Sequence, residues 1–225
     1  MPTITINPAN TAQIAVDAQK GFMPGAGPGF NELPAPDGDQ IVPAIVQVSD
    51  LVRITAASGD GHTPDHDSFD LIPGQDVRPD GGPDGIWPVH CVAGTPGADL
   101  HPQVARVVTG PDWVFWKGTI KDVDAYSATR GANDNGDDLI AKLRAERIDR
   151  VIVTGLVTNV CVLATTMDLL DAGFQVIVVL DGVRGIPGGD GLPTPQEAVE
   201  QMAQAGAVIV KAAADITAQQ DRVAA

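Results

Sequence analysis

The apolar residues of this chain fall into short β-branched runs that alternate with stretches spaced as one face of a helix. Gln13–Asp17, Arg53–Ser58, Trp113–Lys117, Arg150–Thr154, Gln175–Leu180 and Ala207–Lys211 are the predicted strands. Between them, Gln40–Leu51 has helical spacing through Ile41, Ile45 and Val48, with Pro43 in its first turn. Asp138–Arg147 is amphipathic, and Thr194–Ala205 opens on Pro195. Another helix is predicted to begin near Cys161, capped by Thr158 or Asn159, and to stop at Ala172-Gly173. This alternation predicts a Rossmann-like three-layer α/β/α fold around a mostly parallel six-stranded sheet. No G-x-G-x-x-G stands at a strand-to-helix turn, so a dinucleotide is not expected.

Two stretches depart from the pattern. Lys20–Asp39 is a loop rich in Gly and Pro, and Gly59–Gly110 promises little regular structure and much Gly, Pro, Asp and His. An excursion that long inside a compact domain is usually functional.

Length and charge bound the rest. With 225 residues and nothing that marks a linker, one domain over 1–225 is expected, carrying the 59–110 excursion. A net charge of −15 argues against nucleic acid, whose phosphates need Lys and Arg. No apolar run approaches a membrane span, and MPTITINPANTAQIAVD lacks the basic-then-apolar order of a signal peptide. The two cysteines, Cys91 and Cys161, offer no disulfide framework, so a cytoplasmic setting is expected.

Two constellations could carry chemistry. Asp17, Lys117 and Cys161 fall at the carboxyl ends of separate strands, the edge of an open α/β sheet where ligands bind. Singly they read as a loop-starting acid, a snorkelling cation and a core thiol. Together they supply a general base, a cation and a nucleophile. A thiol at a helix start faces the positive end of the dipole, which favours thiolate over thiol. The second constellation is SGDGHTPDH, Ser58–His66. Asp60 and His62 share one side of an extended chain, and His66 can join them if Pro64 turns it. WPVHC, Trp87–Cys91, adds His90, with Cys91 pointing the other way. Imidazoles with a carboxylate suit Zn, Fe or Mn.

These residues resemble the nicotinamidase/pyrazinamidase branch of the isochorismatase-like cysteine hydrolases. The matching stretches are VDAQKGF (Val16–Phe22), GDGHTPDHDSF (Gly59–Phe69), WPVHCVAGTPGADLHP (Trp87–Pro102), WKGTIKDVDAYSA (Trp116–Ala128) and VTGLVTNVCVLATTMDLLDAGF (Val153–Phe174). The resemblance implies Asp17, Lys117 and Cys161 as catalytic triad and Asp60, His62 and His90 as metal ligands. His66 matches a position that ligates in some members and only lines the pocket in others. It further implies one divalent metal, zinc ahead of iron or manganese, with Phe22 and Trp87 clamping a substrate ring beside Val160. The backbone N–H groups of Val157 and Cys161 would form an oxyanion hole next to a cis Leu156–Val157 peptide. The implied reaction converts nicotinamide, and pyrazinamide, to the acid and ammonia through a cysteine thioester. A small aromatic amide is thus the expected partner, with no nucleic acid or membrane, and homo-oligomers occur among such proteins. This chain departs from the pattern at Asn159, where metal-containing members often have Asp, and at Gly61, where an aromatic is usual. The alternative is a metal-free amidohydrolase of the same fold acting on a linear amide of maleamate or ureido type.

Overall fold

A computed structural model describes residues 3–69, 87–123, 125–189 and 191–219. Among these residues eight strands form, β1 Ile4–Ile6, β2 Thr11–Val16, β3 Ile54–Asp60, β4 Val114–Lys117, β5 Arg150–Leu156, β6 Gln175–Arg184, β7 Val208–Val210 and β8 Ile216–Ala218. Six of them make one parallel sheet in the order β4-β3-β2-β5-β6-β7, as the alternation predicts. The strand order reverses between β2 and β5, so the crevice beyond their carboxyl ends is the expected ligand site.

Strand alternation sorts the core onto two faces. Ala12, Ile14, Val16, Val151 and Val153 pack with Leu139 and Leu143 of α3 (Leu139–Ala145), Leu169 of α4 (Leu163–Asp171) and Met202 of α5 (Pro195–Gln204). The intervening Ala15, Ile152 and Ile177 face the other way, where Ile45 and Val48 of α1 (Val42–Ser49) and Val104 of α2 (Pro102–Val107) cover them. Each fully buried aliphatic side chain there contributes roughly 1.5–3 kcal/mol of transfer free energy. Among the described residues no helix is long and apolar enough to cross a membrane.

The structure corrects several expected boundaries. β2 ends at Val16, and Asp17 turns out of the strand at φ +45°. β3 runs on past Ser58 to Asp60, because Ser58, Gly59 and Asp60 continue the ladder opposite Phe115, Trp116 and Lys117. β5 and β6 also extend, to Leu156 and Arg184, through a register shift between Val153 and Gly155. The excursion is more regular than expected, since it contains α2 and the 3-10 turn Pro96–Ala98. The small β1–β8 sheet was not foreseen.

The largest correction lies at the nucleophile turn. Thr158–Val162 winds as a π-helical turn before α4 begins, with Val157 rather than Thr158 or Asn159 at its cap and no side-chain cap bond. Single π turns of this kind cluster at functional sites. The Leu156–Val157 peptide before it is cis.

Candidate active site

Lys117 is the hub of the site. Its Nζ lies 2.9 Å from Asp17 Oδ2 and 3.5 Å from Cys161 Sγ, and it closes an ion pair with Asp60 Oδ1. All four side chains are buried, and Lys117 is only 2% exposed. The sheet explains the convergence. Asp60 and Lys117 are register partners at the ends of β3 and β4, while Asp17 and the turn bearing Cys161 follow β2 and β5 on either side of the strand-order reversal. Residues separated by about 100 and by 44 positions in the chain meet because parallel strands end together.

Burial and charge set the protonation states. Burial alone would lower the Lys117 pKa, yet Asp17, Asp60 and Cys161 hold it well above the usual lysine range. Burial would raise Asp60, but Lys117, His62 and His90 outweigh it and keep its carboxyl well below the carboxylate range. Asp17 goes the other way. Its burial raises its pKa, with Asp60 adding to the effect and Lys117 and Ser58 opposing it. Cys161 is pushed well up by burial, with Asp17 and Asp60 pressing the same way against Lys117. Burial and the two carboxylates thus work against the preference for thiolate that a helix start gives. Asp17 Oδ2 touches Lys117 without receiving an aligned hydrogen bond, and the Asp17, Asp60 and Cys161 donor atoms all lie within 4.8 Å of one another. That oxygen is open to the thiol proton.

Beside Lys117, Asp60 Oδ2 faces His62 Nε2 at 3.6 Å and His90 Nε2 at 3.9 Å. The far nitrogens fix the tautomers. His62 Nδ1 lies 3.1 Å from the Gly118 carbonyl and His90 Nδ1 2.6 Å from that of Pro88. A carbonyl only accepts, so both Nδ1 atoms carry a proton, and each Nε2 is left facing Asp60 Oδ2. Burial also holds His90 down to about 4, against the pull of Asp60, so its ring stays neutral. Donor atoms around a tetrahedral ion with bonds of 2.0–2.2 Å stand roughly 3.4 Å apart. The three side chains therefore fit a divalent cation. His66 is not among these converging donors. It turns Nδ1 to Ser68, 2.7 Å from Oγ and 3.2 Å from the backbone N–H, and sets its ring 4.5 Å from that of His62. Cys91 faces away, toward the Gly97 carbonyl at 3.5 Å.

The excursion reaches this point because Val92 bridges to His62. His62 N–H donates to Cys91 O at 3.2 Å and Ala93 N–H to His62 O at 2.9 Å. Gly118 must be glycine, since a Cβ there would stand 2.7 Å from His62 Nδ1 and φ is +61°.

Over the cluster lies a pocket of about 510 Å³ counting its open mouth. Phe22, Trp87, Val160 and Ile186 form its apolar walls, and Val157 and Cys161 its corner. The polar end is Asp60, His62 and His90.

Three supporting side chains escaped sequence reasoning. Ser58 Oγ donates to Asp17 Oδ1 at 2.7 Å. Gln19 clasps the Asp60 backbone, donating to its carbonyl and accepting from its N–H, each at 2.8 Å. Tyr126 Oη takes a 3.4 Å hydrogen bond from Trp87 Nε1 at the pocket wall. Ser58 alone left a signal, because in a strand it shares a face with Asp60.

A buried thiol, carboxylate and ammonium thus meet at the carboxyl edge of a parallel α/β sheet. The isochorismatase-domain model matches residues 11–214, and the chain belongs to that family. It is 36% identical over 189 residues to a nicotinamidase of Escherichia coli, covering 78% of this chain and 83% of that one. A crystal structure of a protein from L. infantum in complex with nicotinate superposes with a TM-score of 0.76 at 27% identity, over 96% of this chain and 100% of that one. A pyrazinamidase of Pyrococcus horikoshii in complex with zinc gives 0.66 at 34% identity, over 90% and 99%.

Proposed function

We propose that this amidohydrolase is a nicotinamidase, releasing nicotinate and ammonia from nicotinamide and accepting pyrazinamide in the same way. The observation that carries the reading is Lys117 touching Asp17, Cys161 and Asp60 beneath an aromatic-walled pocket. The nicotinate and zinc complexes of related proteins support the substrate ring and the metal.

Phe22 and Trp87 hold the two faces of the ring, with Val160 at its side, and bring the carboxamide carbon to Cys161. Asp17 Oδ2 takes the thiol proton while Lys117 balances the charge left on sulfur. As the C–S bond forms, the N–H groups of Val157 and Cys161 receive the developing oxyanion. Asp17 passes its proton to the amide nitrogen, the C–N bond breaks and ammonia leaves a thioester. Asp17 then draws a proton from water as it attacks the thioester carbon, the C–S bond breaks, and nicotinate departs with the thiol restored. Asp60, His62 and His90 would hold one divalent ion, zinc ahead of iron or manganese, which when bound supplies a Lewis-acid anchor for the ring nitrogen. His66 packs its ring against that of His62. A cytoplasmic enzyme is the setting that fits.

An assay of ammonia release from nicotinamide, with and without prior metal stripping, tests the reading. Thiol-dependent release that metal restores is expected. Release from linear ureido or maleamate amides alone, with no stoichiometric metal, would replace it with the metal-free amidase.

A further inference from the structure

Asn159 stands two residues before the nucleophile, inside the π-helical turn, and is 1% exposed. Nδ2 donates to the carbonyls of Ile186 at 3.0 Å and Pro193 at 2.8 Å, and Oδ1 accepts from Ile186 N–H at 3.1 Å. Both protons and the oxygen of the amide are thus committed to the chain that leaves β6. Gly185 measures how closely the two segments approach. A Cβ there would lie 2.7 Å from Asn159 Oδ1 and 2.6 Å from Pro195 Cγ. Ile186, held at both its N–H and its C=O, is a wall of the pocket that Phe22, Trp87 and Cys161 also line.

We propose that Asn159 is a positioning residue that sets ring specificity. Through Ile186 it fixes one wall of the pocket relative to Cys161, and in this chain, where two carbonyls and an N–H face it, it does so as an amide. An aspartate there keeps the shape but donates to neither carbonyl, and sets a carboxylate oxygen against both. Nucleophile turn and pocket wall then separate, and the substrate loses its fit before it loses its chemistry. The kinetic readout of this proposal rests on the nicotinamidase reading; the clamp itself does not.

The test compares the full chain as wild type, Asn159→Asp, Asn159→Ser, Ile186→Ala and the Asn159→Ser/Ile186→Ala double variant. With nicotinamide, Asn159→Asp is expected to raise KM about tenfold, the loss of one good buried hydrogen bond, with kcat changed less than about threefold. Asn159→Ser is milder and carries the same comparison should the aspartate variant fail to fold. In the Ile186→Ala background it adds less than about twofold to KM, because the side chain it acts through is gone. Hydrogen exchange at the Ile186 amide, the donor to Asn159 Oδ1, speeds up in Asn159→Ser. An unchanged KM, a loss confined to kcat, effects at 159 and 186 that multiply independently, or unchanged exchange at Ile186 each overturn the proposal. A wild-type protein inactive on nicotinamide defeats the functional reading instead, and exchange at Ile186 still decides the clamp.

Discussion

Lys117 stands opposite Asp60 in the β3–β4 register, and that pair joins two sites that the chain supplies separately. One oxygen of Asp60 belongs to the lysine of the nucleophile cluster, and the other to the two histidines. Lys117 contributes most to keeping that carboxylate ionised, so the ammonium beside Cys161 also shapes the acid–imidazole cluster.

Lys117→Met is therefore expected to damage stability as well as turnover. It leaves Asp17 and Asp60 buried without their cation, a loss of about 3–5 kcal/mol at neutral pH. The pH dependence has a definite sign. Without Lys117 the burial that raises Asp17 loses its main opponent, and this carboxyl titrates in the folded state further above the ordinary value of 3.8, so between those values the folded form binds more protons than the unfolded one. The stability gap to wild type should narrow as pH falls through that window. Urea unfolding at pH 7.5 and pH 5 checks it, and a gap constant with pH would count against the account.

Asp17 sets the acid side of activity. Burial raises its pKa, and a protonated carboxyl cannot take the thiol proton, so kcat/KM should fall as pH drops through a value above 3.8. The Ser58 hydrogen bond favours the ionised form. Ser58→Ala should consequently move this limb to higher pH, and Asp17→Asn should cost about 10²–10⁴ in kcat. A limb unmoved by Ser58→Ala in a pH–rate profile would remove Ser58 from the mechanism.

Gly155 is where β2 and β5 come too close for a side chain. Its φ is +118°, and a Cβ would lie 2.0 Å from Val16 O and 2.5 Å from Val16 N. Gly155→Ala must push apart the two strands that precede Asp17 and Cys161. A destabilisation of about 3–5 kcal/mol is expected, from backbone strain plus overpacking against a backbone that cannot rotate away. Denaturant unfolding measures it, and an alanine variant of wild-type stability would contradict the packing.

What the sequence carried, and what it did not, divides by range. Asp17, Lys117 and Cys161 were legible because each follows an apolar run, and parallel strands end on one edge. Asp60 and His62 were legible as a pair, and His90 through its motif. The Lys117–Asp60 contact was not, because it depends on β3 continuing through Ser58-Gly59-Asp60, which carries no hydrophobic signal. α2 was missed because six residues capped by His101 show too little periodicity. Asn159 looked like a helix cap, and its true partners lie 27 and 34 residues away, where no local pattern points. The carboxylates that press the Cys161 pKa upward were out of reach for the same reason, since the helix end is local and they are not.

The Asp60–His62–His90 cluster should behave as one metal site with fixed tautomers. The purified protein is expected to carry one divalent ion per chain, and Asp60→Asn or His90→Ala to lose it, by elemental analysis and by the rise in Tm on adding metal. The tautomer argument gives a sharper outcome. His62 and His90 are oriented by backbone carbonyls, which side-chain mutation cannot remove, but Gly118→Ala drives a Cβ into His62 Nδ1 and disturbs the carbonyl that holds it. Losing the partner that orients a ligating imidazole costs about 10–100-fold in metal affinity. Gly118→Ala should therefore weaken the metal by that factor while every ligand remains in place. His66→Ala leaves the three converging donors intact and should weaken it far less. Competitive chelator titration separates the two variants, and a His66→Ala loss equal to that of His90→Ala would make His66 a fourth ligand.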